Sequence, residues 1–385
     1  MNTTATISNV SVEDTTAFST ILSEKTLGLQ VTTAVPRKIK VHSGVVSDAV
    51  YFYFETYVDL WLCMVIALLG VVTNSLTLAV FIKQGLRDSV NISMATVAFW
   101  DLTKCIGAVI NRMYGPISWF SPAFGQSWHH MTLPSLGYLP IFAGYVSYAL
   151  AAYIAFERCL CVMIPLKVKF LLGPKVTLAA VLIISIAVFG AYAIVFFLYK
   201  IVWIYNPVYN TTIAEYTFND FYKQHGRMIM AYYKAIAIIL PLFSFVIVVI
   251  CSVLTVHGLR RSSTFRTSAQ NVKDAQTDSK SKLSGKDKQI AKMLMAIIIV
   301  YIVNLFPRII FGIAQLAEPE YYVLGRYHNL FMSTANCIFV LDFINASINL
   351  FIFYRMSSNF RATFNALRRC HDAGACKFAV GANCV

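Results

Sequence analysis

The chain has 385 residues, of which 58% are hydrophobic and only 13% are charged, and its formal net charge is +14. Soluble domains carry about 25% charged residues, so this composition argues against a soluble enzyme or binding module and predicts a membrane protein. The basic residues concentrate in alternate connecting segments. That arrangement argues against a nucleic-acid partner and favours contact with anionic membrane lipid at the inner surface.

The first segment, residues 1–54, is polar and rich in serine and threonine. It lacks the charged start and short apolar core of a cleaved signal peptide. Asn2 and Asn9 each begin an Asn-x-Ser/Thr sequence, which is the acceptor for N-glycosylation. We therefore expect a disordered extracellular tail that carries glycans.

Seven apolar stretches follow, and each is long enough to cross a bilayer, which takes about 20 apolar residues. The sequence predicts an all-α membrane protein, a seven-transmembrane helix bundle that occupies residues 55–356. Pro241 and Pro307 fall inside two of the stretches, which membrane helices tolerate. A loop from 200 to about 226 carries a third glycosylation candidate, Asn210. The predicted spans are about 57–82, 91–114, 134–166, 175–199, 227–256, 290–316 and 328–355.

The connecting segments give the orientation. Alternate connections are rich in lysine and arginine, whereas the opposite loops carry acids and fewer bases. Because basic loops stay on the cytoplasmic side, the amino end is expected outside the cell and the carboxyl end inside. The basic side holds Lys83, Arg87, Lys167, Lys169, Lys175, Arg260 through Lys288, Arg355, Arg361, Arg368 and Arg369.

Residues 357–369 are predicted to form a short amphipathic eighth helix on the inner leaflet. Phe360, Phe364 and Leu367 share one side, and three arginines lie elsewhere. Cys370 follows directly and is either palmitoylated, which would add a second anchor, or an unmodified thiol. Residues 370–385 then form a cytoplasmic tail.

Several motifs occur at fixed positions within these spans. The third span ends in Glu157-Arg158-Cys159, followed by Pro165-Leu166, and the seventh contains Asn349-Leu350-Phe351-Ile352-Phe353. Others are Asn74, the pattern Asn91-x-x-Met94-x-x-Val97-Ala98-x-x-Asp101, Pro241, Pro307 and Phe360-Arg361. Together they resemble the rhodopsin-like (class A) G-protein-coupled receptors over about 57–369. Phrases such as 325–331 are similar to molluscan chemosensory-receptor-like and invertebrate peptide-receptor-like members.

The resemblance implies a switch at the inner end of the bundle, formed by Glu157, Arg158, Asp287, Asn349 and Phe353. In the resting state Arg158 would pair with Glu157 and reach Asp287, although Lys286 and Lys288 make a solvated charge cluster an alternative for Asp287. On activation the sixth helix would swing outward and free Arg158 to meet a heterotrimeric G protein. Arrestin and a receptor kinase are further expected partners.

The chain departs from the family in places that matter. Leu350 and Phe353 stand where the seventh helix usually has Pro and Tyr, so the usual water-bridged active state must be held in another way. Leu133 stands where the third helix usually offers a cysteine, and 200–226 contains none. We therefore expect the outer disulfide of the family to be absent.

The resemblance implies an internal ion site around Asp101. Asp101, Ser147, Asn345 and Asn349 match the family's pocket for an allosteric sodium ion, and no other cofactor is expected. Lys104 lies one turn from Asp101 on the same helix face, so a salt bridge is the alternative to sodium.

The remaining intramembrane charges are candidates for the ligand pocket, because charges inside a bilayer are costly and rarely accidental. One reading pairs them as internal salt bridges, with Asp342 bound to Arg308 or Lys104. The other leaves surplus cations, chiefly Lys234 and Arg308, for an anionic or carboxylate-bearing ligand or a peptide. The candidates are Lys104, Arg112, Lys234, Arg308 and Asp342.

Other functions find less support in the residues. Pro140 and Phe343 stand where amine receptors and visual pigments carry their ligand-binding Asp and Lys. An enzyme is not expected, since no span holds metal-ligand spacing, and His129-His130 is expected to be a polar loop pair. The sequence thus predicts a plasma-membrane receptor for a chemical cue or neuropeptide, with a seven-helix transporter or channel as the alternative.

Overall fold

The computed structural model describes residues 45–164, 172–270, 285–323 and 325–381, and within them the side chains of all but 259–270, 285–294 and 370–381. Asn2 and Asn9 lie outside the described residues, and the side chains of Asp287 and Cys370 are likewise outside them.

Seven helical segments of this described part are long and apolar enough to cross a membrane. This number confirms the predicted seven-transmembrane bundle. The segments are Asp48–Gln84, Ser89–Phe120, Pro122–Met163, Pro174–Phe197, Asp220–Gly258, Met295–Ala317 and His328–Met356.

The first segment is one helix of three pieces: α1 (Asp48–Tyr53), a π-helical stretch (Phe54–Leu62) and α2 (Cys63–Gln84). The Ser47 hydroxyl accepts a hydrogen bond from Val50 N at 3.4 Å and so caps α1. At the other end Gly85 ends α2 with a φ of 89°, a conformation that favours glycine.

Two helices, α4 (Tyr114–Phe120) and α5 (Pro122–Thr132), occupy the region between the predicted second and third spans, where the sequence predicted a loop. The order is α3 (Ser89–Arg112), α4, α5, a π-helical turn (Leu133–Gly137) and α6 (Leu139–Met163). The Ser121 hydroxyl accepts from Phe124 N at 3.3 Å, and Pro122 occupies the first turn of α5. The prediction that His129-His130 is a polar loop pair was wrong, because both lie in α5 and His130 is 2% exposed.

A β-hairpin covers part of the region predicted to be a plain loop. α7 (Pro174–Tyr192) continues as a 3₁₀ turn (Ala193–Phe197), and strands β1 (Tyr199–Asn206) and β2 (Thr211–Phe218) then pair antiparallel. Tyr199 lies opposite Phe218, and Asn206 opposite Thr211. Asn210 turns the hairpin with a φ of 49°, which asparagine tolerates better than most residues.

The last helices are α8 (Asp220–Gln270), α9 (Gly285–Ala317), α10 (His328–Met356) and α11 (Ser358–Gly381). Pro241 and Pro307 lie inside α8 and α9, as the sequence predicted. α11 runs past residue 369, where the amphipathic helix was expected to end. Phe360 is 1% exposed and packs against Phe81 and Phe353, so α11 is fastened to the bundle by one aromatic side.

α6 lies at the centre of the bundle and contacts α3, α7, α8 and α9. Its buried aromatic residues stack with α7: the ring of Tyr192 lies 5.1 Å from that of Phe142 and 4.7 Å from that of Tyr145. The outward faces of the other helices keep large apolar side chains exposed, as expected of surfaces that meet lipid. Examples are Leu68, Ile183, Ile186, Phe243 and Val303.

Candidate ligand cavity and inner switch

A cavity of about 440 Å³ lies between the spanning helices at the end that carries the β-hairpin. This volume is within the range of small-molecule sites. Of the predicted ligand-pocket residues, Arg112, Lys234 and Arg308 line the cavity, whereas Lys104 and Asp342 do not contribute to its wall.

Arg112 is bound to an acid that the sequence reasoning missed. Its Nε donates to the backbone oxygen of Asp59 at 2.7 Å, and its guanidinium also contacts the Asp59 carboxylate. The guanidinium carbon lies 5.5 Å from the ring centroid of Phe343 on α10. Asp59 falls inside the predicted first span, so an acid within an apolar stretch was the signal that could have revealed it.

Arg308 pairs with Asp342, which settles between the two partners considered for that carboxylate. The guanidinium lies 2.5 Å from Asp342 Oδ2, and Arg308 Nε donates to the Tyr148 hydroxyl at 3.1 Å. The Tyr148 hydroxyl in turn donates to Asp342 Oδ1 at 2.5 Å and lies 2.9 Å from Asn304 Oδ1. The cluster therefore ties α6, α9 and α10 together in the middle of the bundle.

Lys234 differs from the other two cations of the cavity wall. It forms no ion pair with any described residue, and its ammonium lies 5.1 Å from the ring centroid of Tyr322. The predicted surplus of positive charge was too large, because Asp59 and Asp342 offset Arg112 and Arg308. Of the three wall cations, Lys234 alone keeps its charge without a carboxylate partner in the described part of the chain.

Asp101 gathers most of the residues predicted to hold sodium. Ser147 Oγ donates to its Oδ1 at 3.1 Å, and Asn349 Nδ2 donates to its Oδ2 at 3.2 Å. Lys104 Nζ also lies 2.9 Å from Oδ1, and both charged side chains are buried. Asn345 is buried on α10 but donates nothing to Asp101. Since an ammonium already supplies positive charge here, the geometry favours the salt-bridge alternative, and sodium remains a prediction.

The predicted inner switch contains a buried ion pair. Arg158 lies 2.7 Å from Glu157 Oε1, and Ser93 Oγ donates to Glu157 Oε2 at 3.3 Å. Glu157 is 1% exposed, so its charge depends on these partners. Phe353, placed at this switch by the sequence, packs between Phe81 and Phe360 and can offer no hydrogen bond there.

Comparison with known proteins agrees with this architecture. A family model described as Serpentine type 7TM GPCR chemoreceptor Srw matches residues 61–371. No curated protein matches the chain. The matched range includes all seven spans in whole or in part and the residues of both the cavity and the inner switch, apart from Tyr51, Glu55 and Asp59 on the first helix.

Proposed function

Because the chain belongs to the serpentine 7TM GPCR chemoreceptor family Srw, we propose that it is a plasma-membrane receptor that signals extracellular ligand binding to a heterotrimeric G protein. The observation that carries this proposal is the separation of two sites along α6. Tyr145 lines the cavity near one end of α6, and the Glu157–Arg158 pair closes the other end.

The proposed mechanism is a shift between two populations of the bundle. The described arrangement, with Arg158 held by Glu157, is the closed state. A ligand that binds the open state more tightly moves α9 outward and releases Arg158 for the G protein. Arrestin and a receptor kinase then act on the same open state, as the class A resemblance implies.

Charge in the cavity supports an anionic or carboxylate-bearing ligand. Lys234 lines the wall without an acidic partner among the described residues, and Arg308, whose guanidinium is paired with Asp342, lines the same cavity. The family match favours a small chemical cue, and the resemblance to invertebrate peptide receptors keeps a neuropeptide as a second ligand class.

The test is a ligand screen in cells that express the receptor with a promiscuous G protein. We expect at least one chemical or peptide pool to raise the G-protein signal, and Arg158→Ala to abolish the response at unchanged surface level. Arg361→Ala, which removes an exposed arginine of α11, is the matched control and should respond normally. Ligand-dependent flux or current in cells without G-protein signalling would instead identify a transporter or channel.

A further inference from the structure

The turn between α4 and α5 exposes large aromatic side chains. Trp119 is 73% exposed and Phe120 is 89% exposed, and Phe124 in the first turn of α5 is exposed as well. Residues 113–156, which include both helices, contain no aspartate, glutamate, lysine or arginine. We propose that this aromatic turn, formed by Trp119, Phe120 and Phe124, lies in the headgroup region of the bilayer and anchors α4 and α5 to the membrane.

The aromatic turn is the side of α4 and α5 that points away from the bundle. Other aromatic residues of the two helices are packed inward: Tyr114 is buried, and Trp128 Nε1 donates to the backbone oxygen of Ile110 at 2.8 Å. Leaving neighbouring large apolar side chains in water is unfavourable, and such patches mark surfaces that meet a membrane or another protein. The exposed turn therefore calls for an occupant.

The lipid-facing side of the first helix leads to this turn and identifies the occupant as the bilayer. Val65, Leu69 and Val72 are exposed on one face of α2. Trp61 lies one turn before Val65 on the same face. The ring of Trp61 stacks on that of Trp119, with their centroids 5.0 Å apart and their planes at 25°. The surface that meets lipid on the first helix thus continues onto α4.

The length of the same face places the aromatic turn at the membrane boundary. A helix rises about 1.5 Å per residue, so Trp61 and the exposed Lys83 lie about 33 Å apart along the axis. The hydrocarbon core of a bilayer is about 30 Å thick. With Lys83 at one boundary, Trp61 lies at the other, and its stacked partner Trp119 lies at the same height. Tryptophan is enriched at this level because its ring is apolar and its N–H is polar.

The anchor also bears on the cavity. Tyr114 of α4 and His129 of α5 both line it. Contact of the aromatic turn with lipid therefore holds one part of the cavity wall at a fixed height in the bilayer. This inference needs neither a ligand nor a G protein, so it stands apart from the proposed function.

The test measures the tryptophan fluorescence of the full-length receptor in phosphatidylcholine nanodiscs. One set of discs carries a nitroxide on the lipid headgroup, a second carries bromine near the end of the acyl chain, and a third receives iodide in the water. Subtracting the emission of Trp119→Phe from that of the wild type isolates Trp119. We expect the headgroup nitroxide to quench this component at least about twofold more than either other quencher does.

Two further variants complete the measurement. Phe120→Trp adds an emitter next to Trp119, and the added component should show the same preference for the headgroup nitroxide. This gain of signal tests the anchor independently of Trp119→Phe. Trp203→Phe is the matched control, because it removes an exposed tryptophan of β1, whose component should be quenched by iodide more than by either lipid.

Strongest quenching of the Trp119 component by iodide would place the turn in water, and strongest quenching by the acyl-chain bromine would place it in the hydrocarbon. Either result would overturn the anchor. A component that no quencher reaches would place a protein neighbour, such as a second copy of the receptor, over the turn and would overturn the anchor equally. None of these results touches the proposed function, which the ligand screen tests separately.

Discussion

Arg308 keeps its charge inside the bundle because Asp342 and Tyr148 both supply oxygen atoms to its guanidinium. All three side chains are largely buried, so each depends on the others for its hydrogen bonds. Removing one partner of such an ion pair leaves a buried charge without a counter-charge, whereas removing both partners leaves no buried charge.

Asp342→Asn should therefore destabilise the receptor by about 3 kcal/mol, since it leaves Arg308 buried without a carboxylate. Tyr148→Phe removes one neutral hydrogen-bonding group and should cost about 1 kcal/mol. The double variant Arg308→Met/Asp342→Leu should recover most of the loss. Thermal unfolding in detergent measures all three, and a double variant as unstable as Asp342→Asn would show that the pair is not the cause.

In the proposed mechanism Glu157 sets the basal activity, because its ion pair with Arg158 belongs to the closed state. A charge-assisted hydrogen bond contributes about 1.5–3 kcal/mol, so Glu157→Gln is expected to shift the closed–open equilibrium toward the open state by about ten- to a hundredfold. Ser93→Ala removes the weaker contact at 3.3 Å and should raise basal activity less. The measurement is G-protein activation without ligand, normalised to surface level; an unchanged basal signal in Glu157→Gln would contradict this role.

The charges of the cavity could be predicted only in part. Arg308 directly follows Pro307, and Lys234 lies two turns before Pro241. The family resemblance places both side chains toward the inside of the bundle, and both line the cavity. Asp59 and Glu55 were not singled out, although Asp59 lies in a predicted span. No rule of spacing within one helix relates Asp59 to Arg112, because that pair joins two helices.

At the level of helices and strands, α5 connects the β-hairpin to the bundle. Ser127 Oγ on α5 accepts from Ala214 N of β2 at 3.1 Å, and the His130 ring lies 5.2 Å from that of Tyr216. α5 is held close to α4 at Gly125, where an added Cβ would lie 2.9 Å from the Ser118 Cα. The hairpin is thus attached to the bundle by packing and hydrogen bonds.

Gly125→Val should therefore lower the unfolding temperature and weaken ligand binding, because its side chain would push α5 away from the backbone of α4. Gly144→Ala is the matched control: it adds a Cβ inside α6 where nothing lies within 4 Å. That change should stabilise α6 by up to about 1 kcal/mol.

A membrane-impermeant reductant should leave wild-type binding unchanged, and a loss of binding on reduction would show that a disulfide holds this end.

These connecting elements were predicted less well than the spans. A membrane span is recognised in the sequence by a run of about 20 apolar residues, and all seven spans were predicted. α4, α5 and the two strands are short and of mixed polarity, so their formation depends on packing against one another and against α3. Ser121-Pro122 is a local signal of a helix start, a capping serine followed by a proline, which our prediction of a loop here did not use.

Across the full bundle, the described charges still favour one orientation. The end that carries Arg158 has exposed basic residues, among them Arg87, Arg361 and Arg368, whereas the hairpin end mixes bases with Asp220, Glu318 and Glu320. Basic connections are retained on the cytoplasmic side. In this predicted orientation the cavity would open to the outside, where an extracellular ligand could reach it.

A tag at the amino terminus should accordingly be labelled on intact cells, and a tag at the carboxyl terminus only after permeabilisation.

Glycosylation of Asn210 reports the orientation from within the chain, because Asn210 is exposed at the tip of the hairpin and begins the sequence Asn210-Thr211-Thr212. Only a lumenal or extracellular hairpin can be glycosylated, so Asn210→Gln and Thr212→Ala should both abolish the same glycosidase-sensitive mobility shift, while Thr211→Ala should keep it. If the carboxyl tag were labelled on intact cells, the cavity would face the cytoplasm and Arg158 the exterior. A receptor built that way could not pass an external signal inward through α6.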